Sequence, residues 1–393
     1  MEKKVFKIAI MLLAFSVGVT AASIFYFQPV SPADGPPAIA EEGQPAISNK
    51  KQTALEMVFV LDTTGSMGGL LEGAKQKIWS IVNEVQQKQS RPTVKVGLVA
   101  YRDRGDAYVT QITPLTEDLD KVYSNLMDFE AAGGGDTPED VRRALSEGVG
   151  KAGWSKPRTG LAQIVFLVGD APPHAYENEP DVLASARQAV NNQIVVNTIQ
   201  CGGQSDTKLV WQQIAQYGQG KYFAIAQDGG IQTIDTPYDA KLAELGRTIG
   251  GTYTAYGAAP LREENAGVAA ATESKFSTAS NSAMADRTLN KAMNKDAYSG
   301  DLIQDVENGK TRLSDLKQES LPEDLQRLPA GEREKEIAKR IADRKKIREE
   351  ILNLSKQRDA YIAAERSKSG KTGGFDDAVA AALSEQLQRK GIR

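Results

Sequence analysis

The sequence predicts an α/β fold, with a doubly wound, mostly parallel sheet flanked by helices, an N-terminal membrane helix and an α-helical C-terminal region. From about Ala54, strand-like apolar runs alternate with segments of helical periodicity. The runs LEMVFVLD, QIVFLVGD and QIVVNTIQ are apolar on both faces, which is typical of parallel strands covered on both sides. From residue 301 onward the chain is charged with helical spacing, which predicts the C-terminal helices.

Composition excludes several functional classes. The chain has 393 residues, a 40% hydrophobic fraction that can form a sizeable core, and a net charge of -3. This charge gives no basis for nucleic-acid binding, which needs a concentrated basic surface. The single cysteine, Cys201, excludes an intramolecular disulfide. The single histidine, His174, excludes His-rich zinc sites and HExxH proteases.

The N-terminal segment, residues 1–30, has the features of a membrane anchor. Three lysines lie among the first seven residues, and residues 8–33 then carry no charge. The apolar centre is long enough for a spanning helix, which needs about 20 residues, and its Phe-Tyr-Phe end suits the far interface. We therefore favour an uncleaved signal-anchor, while small residues near Thr20–Ala22 leave a cleaved signal peptide open. This predicts a single-pass protein of a bacterial inner membrane, with its body in the periplasm or extracellular space.

Composition divides the remainder of the chain into four parts. Residues 31–53 are rich in Pro, Gly and charge and are interpreted as a linker. Residues 54–257 contain the alternating strands and helices of the α/β domain. Residues 258–300, rich in Ala, Ser, Thr and Asn, are interpreted as a linker or a weakly structured segment. Residues 301–393 form the predicted helical region.

Two helices are predicted in the C-terminal region. Glu332 to Arg366 can form one long helix, and Phe375 to Lys390 a shorter amphipathic one. Apolar residues of the long helix fall only roughly on a heptad seam: Ile337, Ile341, Ile351, Leu354 and Tyr361. Either this helix is solvated, with its mixed charges paired along one face, or it offers a coiled-coil surface through which the protein oligomerises.

Three segments place oxygen-bearing side chains where strands end or in the following loops. They are VFVLDTTGSM with Asp62, Thr64 and Ser66, AAGGGDTPED with Thr137, and FLVGD with Asp170. Alternate residues of an extended segment point the same way, so the first three side chains can face one ligand. Two carboxylates and three hydroxyls form an all-oxygen shell of low charge, which suits a hard cation such as Mg2+. Few ligand charges leave the ion partly positive, so an open coordination position can attract a carboxylate from outside.

The sequence here resembles the von Willebrand factor type A (VWA) domain family. The metal-ion-dependent adhesion site (MIDAS) of that family reads Asp-x-Ser-x-Ser, then a Thr, then an Asp. The resemblance covers about residues 54–230, and up to 257. It implies that Thr64 and Ser66 stand at the serine positions and Thr137 at the threonine position, with Asp62 and Asp170 acting partly through bound waters. Thr64 departs from the motif but keeps the hydroxyl.

We therefore expect a divalent-cation-dependent protein-binding module, in which Mg2+, or alternatively Mn2+ or Ca2+, accepts an acidic residue of a partner protein. An envelope scaffold with a purely stabilising metal is an alternative. A metal-assisted hydrolase using Asp170 and His174 is another, although the sequence places no nucleophile for it and we expect no enzyme. The resemblance also allows a metal-site subunit that works with a cytoplasmic AAA-type ATPase, which would require that residues 1–30 are not a membrane signal. The tripeptide Arg104-Gly105-Asp106 is interpreted as an ordinary turn.

Overall fold

The computed structural model describes residues 52–135, 138–231, 233–294, 296–369 and 373–393. Its six strands form one sheet in the order β3-β2-β1-β4-β5-β6. The strands are β1 Ala54–Asp62, β2 Thr93–Tyr101, β3 Thr110–Thr116, β4 Leu161–Gly169, β5 Val195–Cys201 and β6 Gln219–Ile225. All neighbouring strands are parallel except β3, which runs antiparallel to β2 at one edge. The predicted mostly parallel sheet is therefore confirmed.

Helices cover both faces of the sheet. In chain order they are α1 Gly68–Gln86, α2 Leu119–Met127, α3 Val141–Gly150, α4 Val182–Asn191, α5 Ser205–Tyr217 and α6 Asp239–Gly250. Because successive side chains of a strand point to opposite faces, Leu55, Met57 and Phe59 pack with α1 and α2. Val58 and Val60 pack with α3, α4 and α5 on the other face. This two-sided burial explains why the strands lack polar alternation.

The carboxyl ends of the central strands lie side by side. In the parallel register, Leu61 of β1 pairs with Val168 of β4, and Asp62 pairs with Tyr101 of β2. The loops that follow these strands therefore leave the sheet at one edge. In open α/β sheets, ligands bind at this edge, outside the carboxyl ends of the strands.

Residues 258–300, interpreted from the sequence as a linker or a weakly structured segment, are mostly helical in the structure. Two helices, α7 Ala259–Phe276 and α8 Asn281–Met293, occupy most of this segment. In α7, Phe276 is the buried residue, so the helix lacks an apolar face that could be recognised in the sequence. In α8 the buried face includes Arg287 and Lys291, whose charges are paired within the protein. Charged core residues conceal helical periodicity because the pattern depends on apolar side chains.

In the described part of the C-terminal region there are four α-helices: α9 Leu302–Glu307, α10 Glu323–Gln326, α11 Ala330–Ser369 and α12 Phe375–Arg389. Along α11, every seventh residue from 337 to 358 is buried. These residues are Ile337, Arg344, Ile351 and Arg358. The predicted heptad seam is thus partly made of arginines, and it packs against α6, α8 and α9 within the chain. Among the described residues, the α/β domain and these helices belong to one compact unit.

The last helix, α12, docks on the sheet. It contacts α1 and strands β4, β5 and β6. The ring centroids of Phe375 and Phe59 lie 6.0 Å apart. Deeper along the helix, Gln386 and Asn197 of β5 exchange two buried hydrogen bonds of 3.1 and 2.7 Å. The apolar face of α12 therefore completes the core of the α/β domain.

Two sequence predictions concern residues that the structure does not describe. The predicted membrane segment, residues 1–30, lies outside the described residues; within the described ranges, no helix combines the length and the apolarity needed to cross a membrane. Thr137, the predicted loop threonine of the candidate site, also lies outside them. The helix that follows this loop, α3, begins at Val141, and the carboxylate of Asp140 caps it by accepting a hydrogen bond of 3.0 Å from the backbone N–H of Arg143.

Candidate metal centre

Asp62 forms the buried base of the candidate site. It is the last residue of β1 and has no exposed surface. Its Oδ1 accepts two hydrogen bonds from Thr64, at 2.9 Å from the backbone N–H and 2.6 Å from the hydroxyl. Its Oδ2 is buried and has no hydrogen-bond partner. One oxygen of Asp62 thus orients Thr64, and the other is left for a ligand.

Ser66 and Asp170 lie at the rim of the same edge. The hydroxyl oxygens of Thr64 and Ser66 are 3.4 Å apart. Asp170 directly follows β4, and its Oδ2 accepts a hydrogen bond of 2.6 Å from the side-chain amide of Gln227. The same amide lies 3.4 Å from the backbone oxygen of Ser66. Gln227, in the loop after β6, was not predicted, because nothing in the sequence relates it to the other segments.

The structure therefore places Asp62, Thr64, Ser66 and Asp170 together, whereas Thr137 lies outside the described residues. Within the described chain, no three His, Cys, Asp or Glu side chains are arranged to hold a metal ion by themselves. A cation at this edge would need hydroxyl ligands and waters, as Mg2+ commonly does. The donor set fits such an ion, but ligation by these residues stays a prediction.

Glu139 is a further carboxylate at this edge that sequence reasoning did not single out. Its side chain is buried, and its Oε2 has no hydrogen-bond partner. Both backbone polar groups of Glu139 are hydrogen-bonded: its N–H donates to the backbone oxygen of Pro172, and its backbone oxygen accepts from the N–H of His174. A Cβ built on Gly134 would lie 2.8 Å from Thr64 Cβ and 3.0 Å from Glu139 Oε1. Only a glycine at 134 lets Thr64 and Glu139 approach so closely.

Asp62 and Glu139 lie in a group of carboxylates, and no described residue forms an ion pair with either of them. Burial raises the pKa of Asp62 to about 7, against hydrogen bonds from Thr64 that lower it. Burial, followed by the negative charges of Asp62 and Asp103, raises the pKa of Glu139 to about 8. Two nearby arginines are engaged elsewhere: Arg102 donates to backbone oxygens, and Arg104 pairs with Asp140 and Glu179. A bound cation would supply the missing positive charge.

The remaining candidates have structural contacts. The ring of His174 stacks on Tyr176 at 4.0 Å between centroids, and its buried Nδ1 has no hydrogen-bond partner. Asp170 Oδ2 accepts its hydrogen bond from Gln227, and His174 Nδ1 accepts none. Asp170 and His174, the two residues of the hydrolase alternative, are therefore not hydrogen-bonded to each other through these atoms. In the tripeptide Arg104-Gly105-Asp106, the arginine is ion-paired and the aspartate accepts hydrogen bonds from the N–H groups of Asp103 and Gly134. That tripeptide is a structured turn.

Comparison with known proteins agrees with the fold. Residues 56–237 match the family described as von Willebrand factor A domain. This part of the chain is a VWA domain. At this level of description, a VWA domain suggests a protein-interaction or adhesion module. The match ends before α6, so the helices from α6 to α12 lie outside the matched range.

Curated relatives match only part of this chain. A stretch of 92 residues is 38% identical to von Willebrand factor A domain-containing protein 7 of Mus musculus, covering 23% of this chain and 10% of the relative. Another of 133 residues is 29% identical to a putative ariadne-like RING finger protein of Acanthamoeba polyphaga mimivirus, covering 34% and 12%. A crystal structure of the SpRpn10 VWA domain aligns at 16% identity and a TM-score of 0.33, covering 45% of this chain and 89% of that one. The chain thus spans only about a tenth of these two curated relatives.

Proposed function

We propose that the VWA domain binds a divalent cation, Mg2+ in the first instance, and that the cation recognises a protein partner by accepting one of its acidic residues. The observation that carries this proposal is the unpartnered Oδ2 of Asp62, in a side chain with no exposed surface. A buried carboxylate oxygen without a partner is costly, so natural proteins pair such groups or use them as ligands. The hydroxyls of Thr64 and Ser66 and the carboxylate of Asp170 lie at the same edge.

Chemistry at this edge favours binding over catalysis. The cation would supply charge and an open coordination position, while Asp62 positions the Thr64 hydroxyl through two hydrogen bonds. Thr137 would add a third hydroxyl. His174 is stacked on Tyr176 and makes no side-chain bond through Nδ1, which gives no support to a general base. The protein is in this proposal a binding module and not an enzyme.

The cellular location of the protein is part of the same proposal. Three lysines before an uncharged apolar run support a bacterial inner-membrane anchor, which would hold the VWA domain in the periplasm or extracellular space. The acidic composition supports a protein partner and not a nucleic acid. Helices α11 and α12 use their buried faces within the chain, so an oligomer would have to form through their exposed faces.

Thermal unfolding of the full-length protein tests the cation. Unfolding is measured in EDTA and again with Mg2+, Mn2+ or Ca2+, because an ion that binds only the native state stabilises it by about 2.7 kcal/mol at 100 times its Kd. Asp62→Asn should abolish the gain. Glu56→Gln is the matched control: Glu56 is buried on the same strand, at the other end, with its carboxylate bonded to Ser155 and Gln163. This variant should keep the gain.

Partner binding is tested separately from metal binding. The immobilised protein should retain a partner in Mg2+, release it in EDTA and fail to retain it as the Asp62→Asn variant. A metal-dependent gain in stability without release by EDTA would identify the alternative, a scaffold whose metal only stabilises the loops. Absence of any metal-dependent gain in the unsubstituted protein would overturn the proposal.

A further inference from the structure

Two buried carboxylate oxygens without partners lie at the carboxyl edge of the sheet. They are Oδ2 of Asp62 and Oε2 of Glu139, and both side chains are at least nine-tenths buried. By contrast, the carboxylate of Glu56, at the opposite edge of the same sheet, accepts hydrogen bonds from Ser155 and Gln163 and lies 3.6 Å from Lys95. The chain therefore satisfies a buried glutamate where no ligand is expected and leaves one unsatisfied beside the candidate site.

Glu139 is held in this place by its surroundings. Its backbone is bonded to the loop after β4, which contains Asp170, and its carboxylate is separated from Thr64 by Gly134. Gly134 has a φ of +70°, and any side chain there would collide with Thr64 or meet Glu139. The loop conformation thus brings a third carboxylate to a site where the sequence motif provides two.

We infer that Glu139 is a third carboxylate of the cation site and contributes its negative charge to metal affinity. This inference rests on the proposed function. Since no three carboxylates in the described chain are close enough to share one ion directly, Glu139 acts through its charge or through a bridging water. Removing a residue that supports a metal site in this way typically costs about 10–100-fold in metal affinity.

A third carboxylate also changes the net charge of the loaded site. With Asp62 and Asp170 alone, a divalent cation would be neutralised and its remaining ligands would be uncharged. With Glu139 ionised as well, the loaded site would carry one negative charge in excess, which strengthens retention of the ion but weakens its attraction for the acidic residue of a partner. The cation would therefore be a resident component of the domain, and a partner residue would bind to a site already loaded.

Glu139→Gln separates this role from a structural one, because it removes the charge and keeps the size. In EDTA we expect the variant to be more stable than the unsubstituted protein, since the cost of burying an ionisable carboxyl beside Asp62 and Asp170 is gone. We expect its Kd for Mn2+, measured by titration with the metal alone, to be about tenfold or more higher. Glu139→Asp, which keeps the charge, should retain part of the affinity. Glu56→Gln should show the reverse pattern, with lower stability in EDTA and unchanged Kd.

The outcomes distinguish the two proposals. If the unsubstituted protein binds no Mn2+ or Mg2+, the proposed function fails and this inference with it. If it binds metal and Glu139→Gln binds equally well, the inference is overturned and the proposed function remains. Lower stability of Glu139→Gln in EDTA would also overturn it, because that result identifies Glu139 as an ordinary structural residue.

Discussion

Arg344 of α11 and Asp301, the residue that caps α9, form an ion pair in which neither side chain has any exposed surface. The same arginine also donates to the hydroxyl and the backbone oxygen of Thr252, after α6. Asp301 in turn accepts hydrogen bonds from the N–H groups of Thr254 and Gln304. One buried charge pair therefore joins three segments of the chain, and both charges have further hydrogen-bond partners.

Arg344→Ala is expected to destabilise the protein by about 3–5 kcal/mol, because Asp301 would remain buried without its counter-charge. The free energy of unfolding is measured by urea denaturation. Arg327→Ala is the control, since Arg327 and its partner Glu323 are both largely exposed, and it should leave stability nearly unchanged. Equal effects of the two substitutions would contradict this account.

Glu273 of α7 provides a prediction about pH. Burial raises its pKa, but hydrogen bonds and positive charge from Arg287 and Lys291 outweigh this and lower it to about 2. A carboxyl with a lowered pKa stabilises the native state above its ordinary pKa of 4.5 and loses that contribution as the pH falls towards 2. The difference in unfolding free energy between the unsubstituted protein and Glu273→Gln should therefore shrink between about pH 5 and about pH 2.

Glu263→Gln serves as the comparison for that titration, because Glu263 is an exposed glutamate on the same helix. Its difference from the unsubstituted protein should stay small at every pH. A difference for Glu273→Gln that grows as the pH falls would have the wrong sign and would show that the pair with Arg287 does not stabilise the native state.

Leu387 tests whether α12 belongs to the core. It has no exposed surface and packs in the cluster that contains Phe59 and Phe166. Leu387→Ala should cost about 2–5 kcal/mol, because it removes buried methyl groups and leaves a cavity. Leu209→Ala is the same substitution at a residue that is 64% exposed, and its effect should stay within about 0.5 kcal/mol. Denaturant unfolding of the two variants gives the comparison.

Gly134 and Gly135 form a matched pair for the loop beside the candidate site. Gly134 has a φ of +70° and no room for a side chain, whereas a Cβ on Gly135 would meet nothing within 4 Å. Gly134→Ala should cost more than about 1 kcal/mol, from the left-handed backbone and the contact with Thr64. It should also reduce the stability gained from Mg2+, because Thr64 would be displaced. Gly135→Ala should change neither quantity, and a normal Mg2+ response in Gly134→Ala would argue against Thr64 as a ligand.

The sequence was most informative where burial is apolar. Strands β1, β4 and β5 could be predicted because both of their faces contact hydrophobic residues. Helix α8 could not, because its buried face includes Arg287 and Lys291. In α11 the heptad spacing is regular in the structure, but arginines occupy alternate positions of it, so an apolar pattern seemed only approximate. Paired charges in a core leave no trace that a search for hydrophobic periodicity can detect.

The candidate site could likewise be predicted only where a sequence pattern marks its residues. Asp62 and Asp170 could be placed at one edge because each follows a parallel strand. The sequence contained a signal for Glu139: it lies two residues after Thr137, just as Ser66 lies two residues after Thr64. Gln227 had none, because its contact with Asp170 depends on where the chain turns after β6. Contacts between distant loops require the assembled fold.

Docking of α12 on the sheet affects the order in which this protein can fold during synthesis. Strand β6 emerges from a ribosome roughly 150 residues before α12, which at about 5–20 residues per second corresponds to about 10–30 seconds. Until α12 arrives, the apolar surface over β4, β5 and β6 has no cover, and the buried amide of Asn197 has no partner in Gln386. The nascent VWA domain therefore passes through a stage with an open hydrophobic face, when a chaperone could bind it and premature collapse would be most damaging.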